Sequence, residues 1–220
     1  MFESRVICLC GFPGIGSVGK VAIDYLATAL ECRKAKHFIS SSFPPQVVVS
    51  SGLTKLLNAE LLVPVDVKDM LILSGDAQPL ETVGMYHLAG EILDVLKEEG
   101  VQDVITLAAY VGDAKEKVLG ASTDVDSARC LMEAGVPLLR NGAIGGLNGL
   151  LAGLAPVHGM RGFCLLGTSS GTDPVDIGAA INLLRALKDL LGLPMEITLL
   201  EPQTEGLEAP IPVEPDMNYR

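Results

Sequence analysis

Short apolar segments alternate along this chain with longer segments whose apolar residues recur at helical spacing. That alternation is typical of α/β proteins, in which helices cover a sheet built mainly of parallel strands. The 220 residues are enough for one such domain with a short appendage. Five segments are predicted to be strands: 6–10, 47–50, 70–73, 104–108 and 162–166.

Four segments are predicted to be helices: 17–30, 80–99, 124–134 and 174–191. Asp124 is the expected N-cap of the third helix, and Asp173 that of the fourth, which Pro174 would open. Residues 53–65 are interpreted as a hairpin that turns at Asn58 and Ala59, so we expect a mixed sheet. The uncharged, glycine-rich stretch 141–160 is interpreted as a buried loop and helix that can also pack closely against another subunit.

The stretch GFPGIGSVGK follows the first predicted strand and contains parts of two phosphate-binding motifs. Gly14, Gly16 and Gly19 have the spacing of the dinucleotide fingerprint. Gly14, Gly19 and Lys20 fit a Walker A loop, but Val21 replaces the Ser or Thr that binds Mg²⁺. The acid that holds a ribose about 20 residues after a dinucleotide loop is missing as well. We therefore predict a tight structural turn, with an anion site at the helix N-terminus as the alternative.

GTSSG, residues 167–171, has the pattern of a hydrolase nucleophile elbow with Ser169 as the nucleophile. In that fold the catalytic histidine follows the serine in the chain, whereas the last histidine here is His158. We therefore interpret this segment as a loop.

Asp76 and Gln78 follow another predicted strand. Ligands of α/β proteins bind at the carboxyl ends of the strands, so both side chains are candidate polar contacts. Asp76 is alternatively, and preferably, the N-cap of the helix that is predicted to begin near Leu80.

Composition excludes several classes of function. A net charge of −11 disfavours nucleic acids and anionic membranes as partners, and no segment has the roughly 20 apolar residues of a membrane span. The three histidines lie far apart and the five cysteines form no CxxC pair, so we expect no metal site, no cofactor and reduced thiols. Because the N-terminus leads directly into the first strand, a cytoplasmic location is expected.

Composition changes after Leu200. Residues 201–220 hold four prolines, five acids and one base, and such a segment cannot bury enough apolar surface to offset its ordering entropy. We predict one α/β domain over residues 1–200 and a mobile, acidic, proline-rich segment over residues 201–220.

Six segments occur in the order that is found in the PAC2 (proteasome assembly chaperone) family: GFPGIGSVGKVA, FPPQVVVSSG, LILSGDAQP, GAST, GGLNGLLAGLA and CLLGTSSG. Over about residues 5–192 the chain resembles the archaeal members of that family. The resemblance implies a three-layer α/β/α domain with a mixed sheet, similar to purine nucleoside phosphorylases. It also implies homo-oligomers that assist assembly of the proteasome α-ring. Thr168 departs from the family, whose members often carry Glu there.

The resemblance further implies a binding role for the end of the chain. Archaeal relatives present tails that end in a hydrophobic residue, Tyr and any residue, and these tails dock between proteasome α subunits. Here Tyr219 matches and Asn218 does not, although Met217 is adjacent. We expect Met217, Asn218, Tyr219 and Arg220 to contact proteasome α subunits or the core particle, with the tyrosine ring buried and the terminal carboxylate paired.

Two functions of different classes fit these observations. The first is a proteasome assembly chaperone or adaptor with no catalytic residue. The alternative is an enzyme, or a protein that binds a nucleoside-like or nucleotide-like molecule, with a cleft at the carboxyl ends of the strands. The residues expected at that cleft are Gly14, Gly16, Gly19, Lys20, Asp76, Gln78 and Ser169.

Overall fold

The computed structural model describes residue 2 and residues 5–197. The strands are Ile7–Gly11 (β1), Arg33–Phe38 (β2), Val47–Ser50 (β3), Leu53–Leu56 (β4), Ala59–Val63 (β5), Met70–Gly75 (β6), Asp103–Tyr110 (β7), Val118–Ser122 (β8) and Arg161–Thr168 (β9). The α-helices are Val18–Ala29 (α1), Thr82–Glu98 (α2), Val125–Glu133 (α3), Gly146–Leu154 (α4) and Ile177–Leu191 (α5). Short 3₁₀ turns precede α1 and follow α4.

Seven strands form one sheet in the order β2-β5-β6-β1-β7-β9-β8. Strand β1 is central and runs parallel to β6 and β7, and β9 runs parallel to β7. Strands β5 and β8 run antiparallel to their neighbours. The predicted mixed sheet is therefore confirmed.

Helices cover both faces of this sheet. Ile7 and Leu9 of β1 point into a core shared with α1 and α5, whereas Cys8 and Cys10 point into a core shared with α2 and α4. A strand that is buried on both faces is apolar throughout rather than alternating, which explains the run ICLCG. The three-layer α/β/α arrangement is confirmed.

The predicted hairpin over residues 53–65 is wrong. Strand β4 pairs with β3, whereas β5 pairs with β2 and β6. The turn lies at Ser51 and Gly52, whose φ angles of 50° and 77° suit a two-residue hairpin loop. Asn58 instead lies in the connection that leads into β5. We call residues 47–56, the two paired strands with their turn, the hairpin arm.

Strands β2 and β8 were not predicted, because neither has a run of buried apolar residues. They are the two edges of the seven-stranded sheet. In β2, with the sequence RKAKHF, only Phe38 is buried. Basic side chains on an edge strand keep other chains from pairing with it, so this composition suits an edge although it is not typical of a strand.

The helix ends test the predicted caps. The Asp124 carboxylate accepts a hydrogen bond from the backbone N–H of Ser127 at 2.8 Å, so this prediction is confirmed. The predicted cap of the fourth predicted helix, Asp173, is wrong. Helix α5 begins at Ile177, and its cap is Asp176, which accepts a hydrogen bond from the N–H of Ala179 at 2.9 Å. Pro174 therefore lies before the helix.

The glycine-rich stretch 141–160 contains α4, as predicted. Leu147 and Leu151 are buried against α2 in the chain's own core. A side chain at Gly149 would place its Cβ 1.9 Å from the carbonyl oxygen of Ile144. At Gly149 the close packing is therefore made within the chain, whereas a Cβ at Gly153 would meet no atom of the described chain within 4 Å. None of the described helices is both long and apolar enough to cross a bilayer.

Candidate functional site

The predicted cleft residues lie near one edge of the sheet. Strands β1, β6, β7 and β9 are parallel, so the loops that follow them emerge together. The β1 loop carries Gly14 and Gly16 and leads into the first turn of α1, with Gly19 and Lys20. The loop after β6 carries Asp76 and Gln78, and the loop after β9 carries Ser169. This is the edge at which open α/β sheets bind ligands.

The glycine loop turns sharply between β1 and α1. Gly16 and Ser17 both have positive φ, of 56° and 47°. The N–H of Ser17 donates to the carbonyl oxygen of Gly14 at 2.9 Å and closes the turn. Positive φ costs glycine little, whereas at Ser17 it is a strained conformation that the surrounding structure must hold in place.

Gly11 and Gly19 allow α1 to lie directly on the sheet. A Cβ at Gly19 would come 2.0 Å from the carbonyl oxygen of Leu107 on β7. A Cβ at Gly11 would come 2.5 Å from the carbonyl oxygen of Gly19. At these positions glycine is required for packing, in agreement with the predicted structural turn.

Lys20 is held by a carboxylate on its own helix. Its ammonium group lies 2.7 and 2.8 Å from the two carboxylate oxygens of Asp24 and donates to the Ser74 hydroxyl at 3.0 Å. The Ser74 hydroxyl in turn donates to Asp24 at 2.6 Å. A phosphate in the glycine loop would have to compete with Asp24 for this lysine.

Ser169 is buried and bound to an acid, and within the described residues no histidine forms a hydrogen bond with its hydroxyl. Its hydroxyl donates to Asp176 at 2.6 Å and accepts from the N–H of Gly171 at 3.1 Å. The N–H of Asp176 donates to the carbonyl oxygen of Gly16 at 2.8 Å, which ties the β9 loop to the glycine loop. His158 lies at the opposite edge, just before β9 begins, where it pairs with Asp94. Ser169 therefore links two loops.

Two amide side chains fasten the glycine loop to α4. Asn148 accepts from the N–H of Phe12 at 3.0 Å and donates to the carbonyl oxygen of the same residue at 3.1 Å. Gln78 accepts from the N–H of Leu147 at 2.8 Å and donates to the carbonyl oxygen of Pro13. Asn148 was not among the predicted residues. The sequence feature that could have identified Asn148 is that it is the single amide in the otherwise apolar helix GLNGLLAGL, where a buried amide needs hydrogen-bond partners.

Asp76 joins the hairpin arm to the sheet and does not cap α2. Its carboxylate accepts from the N–H of Asn58 at 3.2 Å and pairs with Lys55 at 3.3 Å. The residue before α2 is Glu81, whose side chain makes no capping hydrogen bond. The preferred interpretation of Asp76 as a helix cap is therefore wrong.

Charges are paired where the arm meets the sheet. Burial alone would raise the pKa of Glu60, but hydrogen bonds and charge from Lys34 and Lys55 lower it. Burial alone would lower the pKa of Lys55, but the carboxylates of Asp76 and Glu60 raise it. Glu60 and Lys55 are therefore ionised together and stabilise each other.

Two surface grooves, of about 480 and 460 Å³, lie beside other parts of the sheet. The first runs between β2 and the arm, and the second runs between the start of β8 and α5. None of the seven predicted cleft residues lines either groove. Within the described residues, no three His, Cys, Asp or Glu side chains are placed to hold a metal ion.

Comparisons with known proteins agree on one family. The model of the PAC2 family matches residues 8–212. An uncharacterized protein of Methanocaldococcus jannaschii is 34% identical over 204 residues, which are 90% of this chain and 78% of that protein.

Two solved structures from Pyrococcus furiosus have the same fold. PbaB, described as an archaeal proteasome activator, is 30% identical with a TM-score of 0.78, over 90% of this chain and 87% of that one. PbaA, described as an archaeal homolog of proteasome-assembly chaperone, is 26% identical with a TM-score of 0.74, over 89% and 84%.

Proposed function

The chain belongs to the PAC2 family, and from that premise we propose that it is an assembly chaperone or adaptor of proteasomes that acts without catalysis. The observation that carries the proposal is the similarity over 90% of the chain to PbaB, a proteasome activator. Similarity to PbaA, a homolog of a proteasome-assembly chaperone, supports the same role.

The geometry of the predicted cleft supports a scaffold over an enzyme. Lys20, Gln78 and Ser169 each use their polar atoms to join parts of this chain. A site for a nucleoside-like or nucleotide-like ligand normally leaves a few polar groups directed at the ligand. The likeness to purine nucleoside phosphorylases stays a prediction, as does the alternative function that depends on it.

We propose that the partners are proteasome α subunits in the core particle, bound in part by the segment 201–220. The predicted contact residues Met217, Asn218, Tyr219 and Arg220 lie outside the described residues. The sequence supports the proposal, since proline-rich chain loses little entropy when it docks in an extended form. Tyrosine buries a large ring while its hydroxyl keeps a polar partner.

The proposal includes a homo-oligomer in the cytoplasm. Several copies of a weak binding segment on one assembly raise the effective concentration of each, so that modest single contacts add to firm attachment. All five cysteines are free thiols, as a reducing compartment favours.

The experiment is surface-plasmon binding to purified proteasome core particles. We expect Tyr219→Ala to weaken binding roughly 10- to 1,000-fold, because a few buried anchors dominate most interfaces. Tyr219→Phe is the matched control, since it keeps the ring. Asn218→Leu should tighten binding. If residues 1–200 bind as tightly as the full chain, the segment 201–220 is not part of the binding site. If neither protein binds, the proteasome core particle is not the partner.

A further inference from the structure

Strand β2 leaves one side of its backbone unpaired. It is an edge of the seven-stranded sheet and, among the described strands, it pairs with β5 alone. Every second N–H and C=O group of an edge strand points away from the sheet. No described residue outside β5 forms a backbone hydrogen bond with residues 33–38. An open edge of this kind can accept a further strand, which is one of the ways in which proteins bind extended peptides.

The first surface groove follows this open edge. It has a volume of about 480 Å³, and four consecutive residues of β2, 34–37, line it. Successive side chains of a strand point to opposite faces, so a groove that all four residues reach runs along the edge of the sheet and not over one face. Lys55 and Leu56 of the hairpin arm line it as well. We call this groove between β2 and the arm the edge groove.

The edge groove is basic although the chain is acidic. Its charged lining consists of three lysines and one glutamate: Lys34, Lys36, Lys55 and Glu60. Lys34 and Lys55 share Glu60, at 2.8 and 3.3 Å, and Lys55 also pairs with Asp76 at 3.3 Å. Lys36 is exposed and forms no ion pair with any described residue. The groove therefore has an excess of positive charge, whereas the whole chain carries −11.

This charge decides which chains the open edge admits. Lysines on an edge strand discourage pairing with other chains in general. Carboxylates on an incoming strand remove that obstacle, because cross-strand pairs of opposite charge are favourable. The negative charge of the remaining surface repels the same acidic strand elsewhere. The edge groove therefore selects an acidic strand.

The lining also has apolar parts. Ile39, directly after β2, and Leu56, at the end of β4, line the groove with exposed fractions of 54% and 55%. A peptide in which acids alternate with aliphatic residues matches both kinds of lining. The pairing of β2 with β5 shifts between Lys34 and Lys36, so Ala35 is a bulge. Added pairing is therefore expected only over the short stretch of β2 that follows the bulge.

We propose that the edge groove binds an extended acidic segment of a partner protein, which adds to β2 as a further strand. Lys36 contacts its carboxylates, and Ile39 and Leu56 contact its aliphatic side chains. The backbone of the segment supplies the hydrogen-bond partners that the outer side of β2 lacks. The site is separate from the predicted contact residues 217–220 and does not depend on the proposed role in proteasome assembly.

The probe is the synthetic peptide EVEVEVE with blocked ends and a fluorescent label, and fluorescence anisotropy measures its binding to the full chain. Glutamine in place of every glutamate of the probe should weaken binding about tenfold or more, since several charge pairs are lost together. Added salt should weaken binding of the acidic probe, because pairs near the surface are screened. An acidic probe that binds no better than its glutamine version would overturn the inference.

A third probe tests strand addition. Esters in place of the internal amides keep the charges and the extended shape of the peptide but remove its N–H donors. Strand addition predicts that this probe binds about tenfold or more weakly, because several backbone hydrogen bonds are lost. A basic surface alone would bind the amide and ester probes equally, so equal affinities would overturn the inference.

Lys36→Glu should weaken binding of the acidic probe about fivefold or more, and Lys36→Met, which keeps most of the stem, should have a smaller effect in the same direction. The matched control is Lys115→Glu, an exposed lysine in the connection that leads to β8 at the other edge of the sheet. It makes the same change in net charge and should leave the affinity unchanged. Circular dichroism checks that each variant is folded. Equal losses in Lys36→Glu and Lys115→Glu would overturn the assignment of the groove.

The alternative occupant is the acidic segment 201–220 of this chain, which holds five acids. Glu205→Gln/Glu208→Gln removes two of its charges, and Glu98→Gln/Glu99→Gln makes the same change among exposed residues at the end of α2. Equal affinity of both double variants for the acidic probe supports an external partner. Tighter binding by Glu205→Gln/Glu208→Gln alone would show that the chain's own segment competes for the groove and would overturn the proposal of a partner.

Discussion

The carboxylate of Asp103, which has no exposed surface, accepts hydrogen bonds from the guanidinium of Arg161 at 2.6 and 2.7 Å. Arg5 adds two more, at 2.8 and 3.1 Å. The hydrogen bonds to Asp103 also raise the pKa of Arg161. One buried acid therefore holds the chain before β1 to the beginnings of β7 and β9, at the edge opposite the glycine loop.

We expect Asp103→Asn to lower the free energy of unfolding by about 3 kcal/mol, because it leaves two arginines without their buried counter-charge. Urea denaturation followed by circular dichroism measures this. Asp126→Asn is the control, since Asp126 is 85% exposed in its pair with Arg129 and such pairs contribute about 0–1 kcal/mol. Similar losses in both variants would contradict the importance of the buried pair.

Gly19→Ala should destabilise the chain by about 1–3 kcal/mol or more, because the new Cβ would come 2.0 Å from the Leu107 carbonyl and must push α1 off the sheet. Gly14→Ala is the control within the same motif, since its nearest neighbour is the Asn148 amide at 3.8 Å. Thermal unfolding gives the melting temperatures of both variants, which are compared with that of the wild type. An unfolding temperature that falls in Gly14→Ala and not in Gly19→Ala would contradict the packing role of Gly19 and favour a ligand-binding role for the loop.

Lys20→Ala should leave partner binding unchanged and cost about 1–2 kcal/mol of stability, since it removes the partly exposed pair with Asp24 and the hydrogen bond to Ser74. Because Val21 replaces the Mg²⁺-binding hydroxyl, we also expect no ATP turnover by the wild type. A phosphate-release assay on both proteins checks this. Turnover that is present in the wild type and absent in Lys20→Ala would revive the enzyme hypothesis.

Asp124→Ala should lower the free energy of unfolding by about 1 kcal/mol at pH 7, whereas Asp124→Asn, which can still cap α3, should lower it by less. Hydrogen bonds from the side chain and backbone of Ser127 lower the pKa of Asp124 in the folded chain. The charge therefore stabilises the fold above the unfolded pKa of about 3.9, and that contribution is lost as the pH falls through the lower folded pKa. Urea curves from pH 7 to pH 3 should show the wild type and Asp124→Asn converging, and a constant difference would contradict this assignment.

The layers of the fold could be predicted because burial on both faces makes strands such as β1 apolar throughout. Strand β2 could not be predicted from the sequence. Five of its six residues face solvent, and its partner β5 lies more than 20 positions later in the chain. The hairpin was misplaced for the same reason. Asn58 and Ser51–Gly52 can both form a turn, and only the strand with which β5 pairs shows which turn the chain uses.

The residues of the predicted cleft lie near one edge of the sheet, but their contacts could not be predicted. Gly16, Asp76, Gln78 and Ser169 could be assigned to one edge because each follows a strand. The partners of these residues could not be predicted, because Gln78 meets Leu147 and Ser169 meets Asp176 only once the loops are folded together. Whether a polar side chain serves a ligand or another loop is decided by such contacts.

The route of the chain into and out of the hairpin arm also bears on how related proteins can diverge. Phe38 at the end of β2 lies directly opposite Ala59 at the start of β5, as antiparallel neighbours. The arm is thus an insertion in what is topologically a simple hairpin connection, with its two ends already side by side. An insertion of this kind can be lengthened, shortened or exchanged without a change in strand order, so the exposed surface of the arm can evolve separately from the domain that carries it.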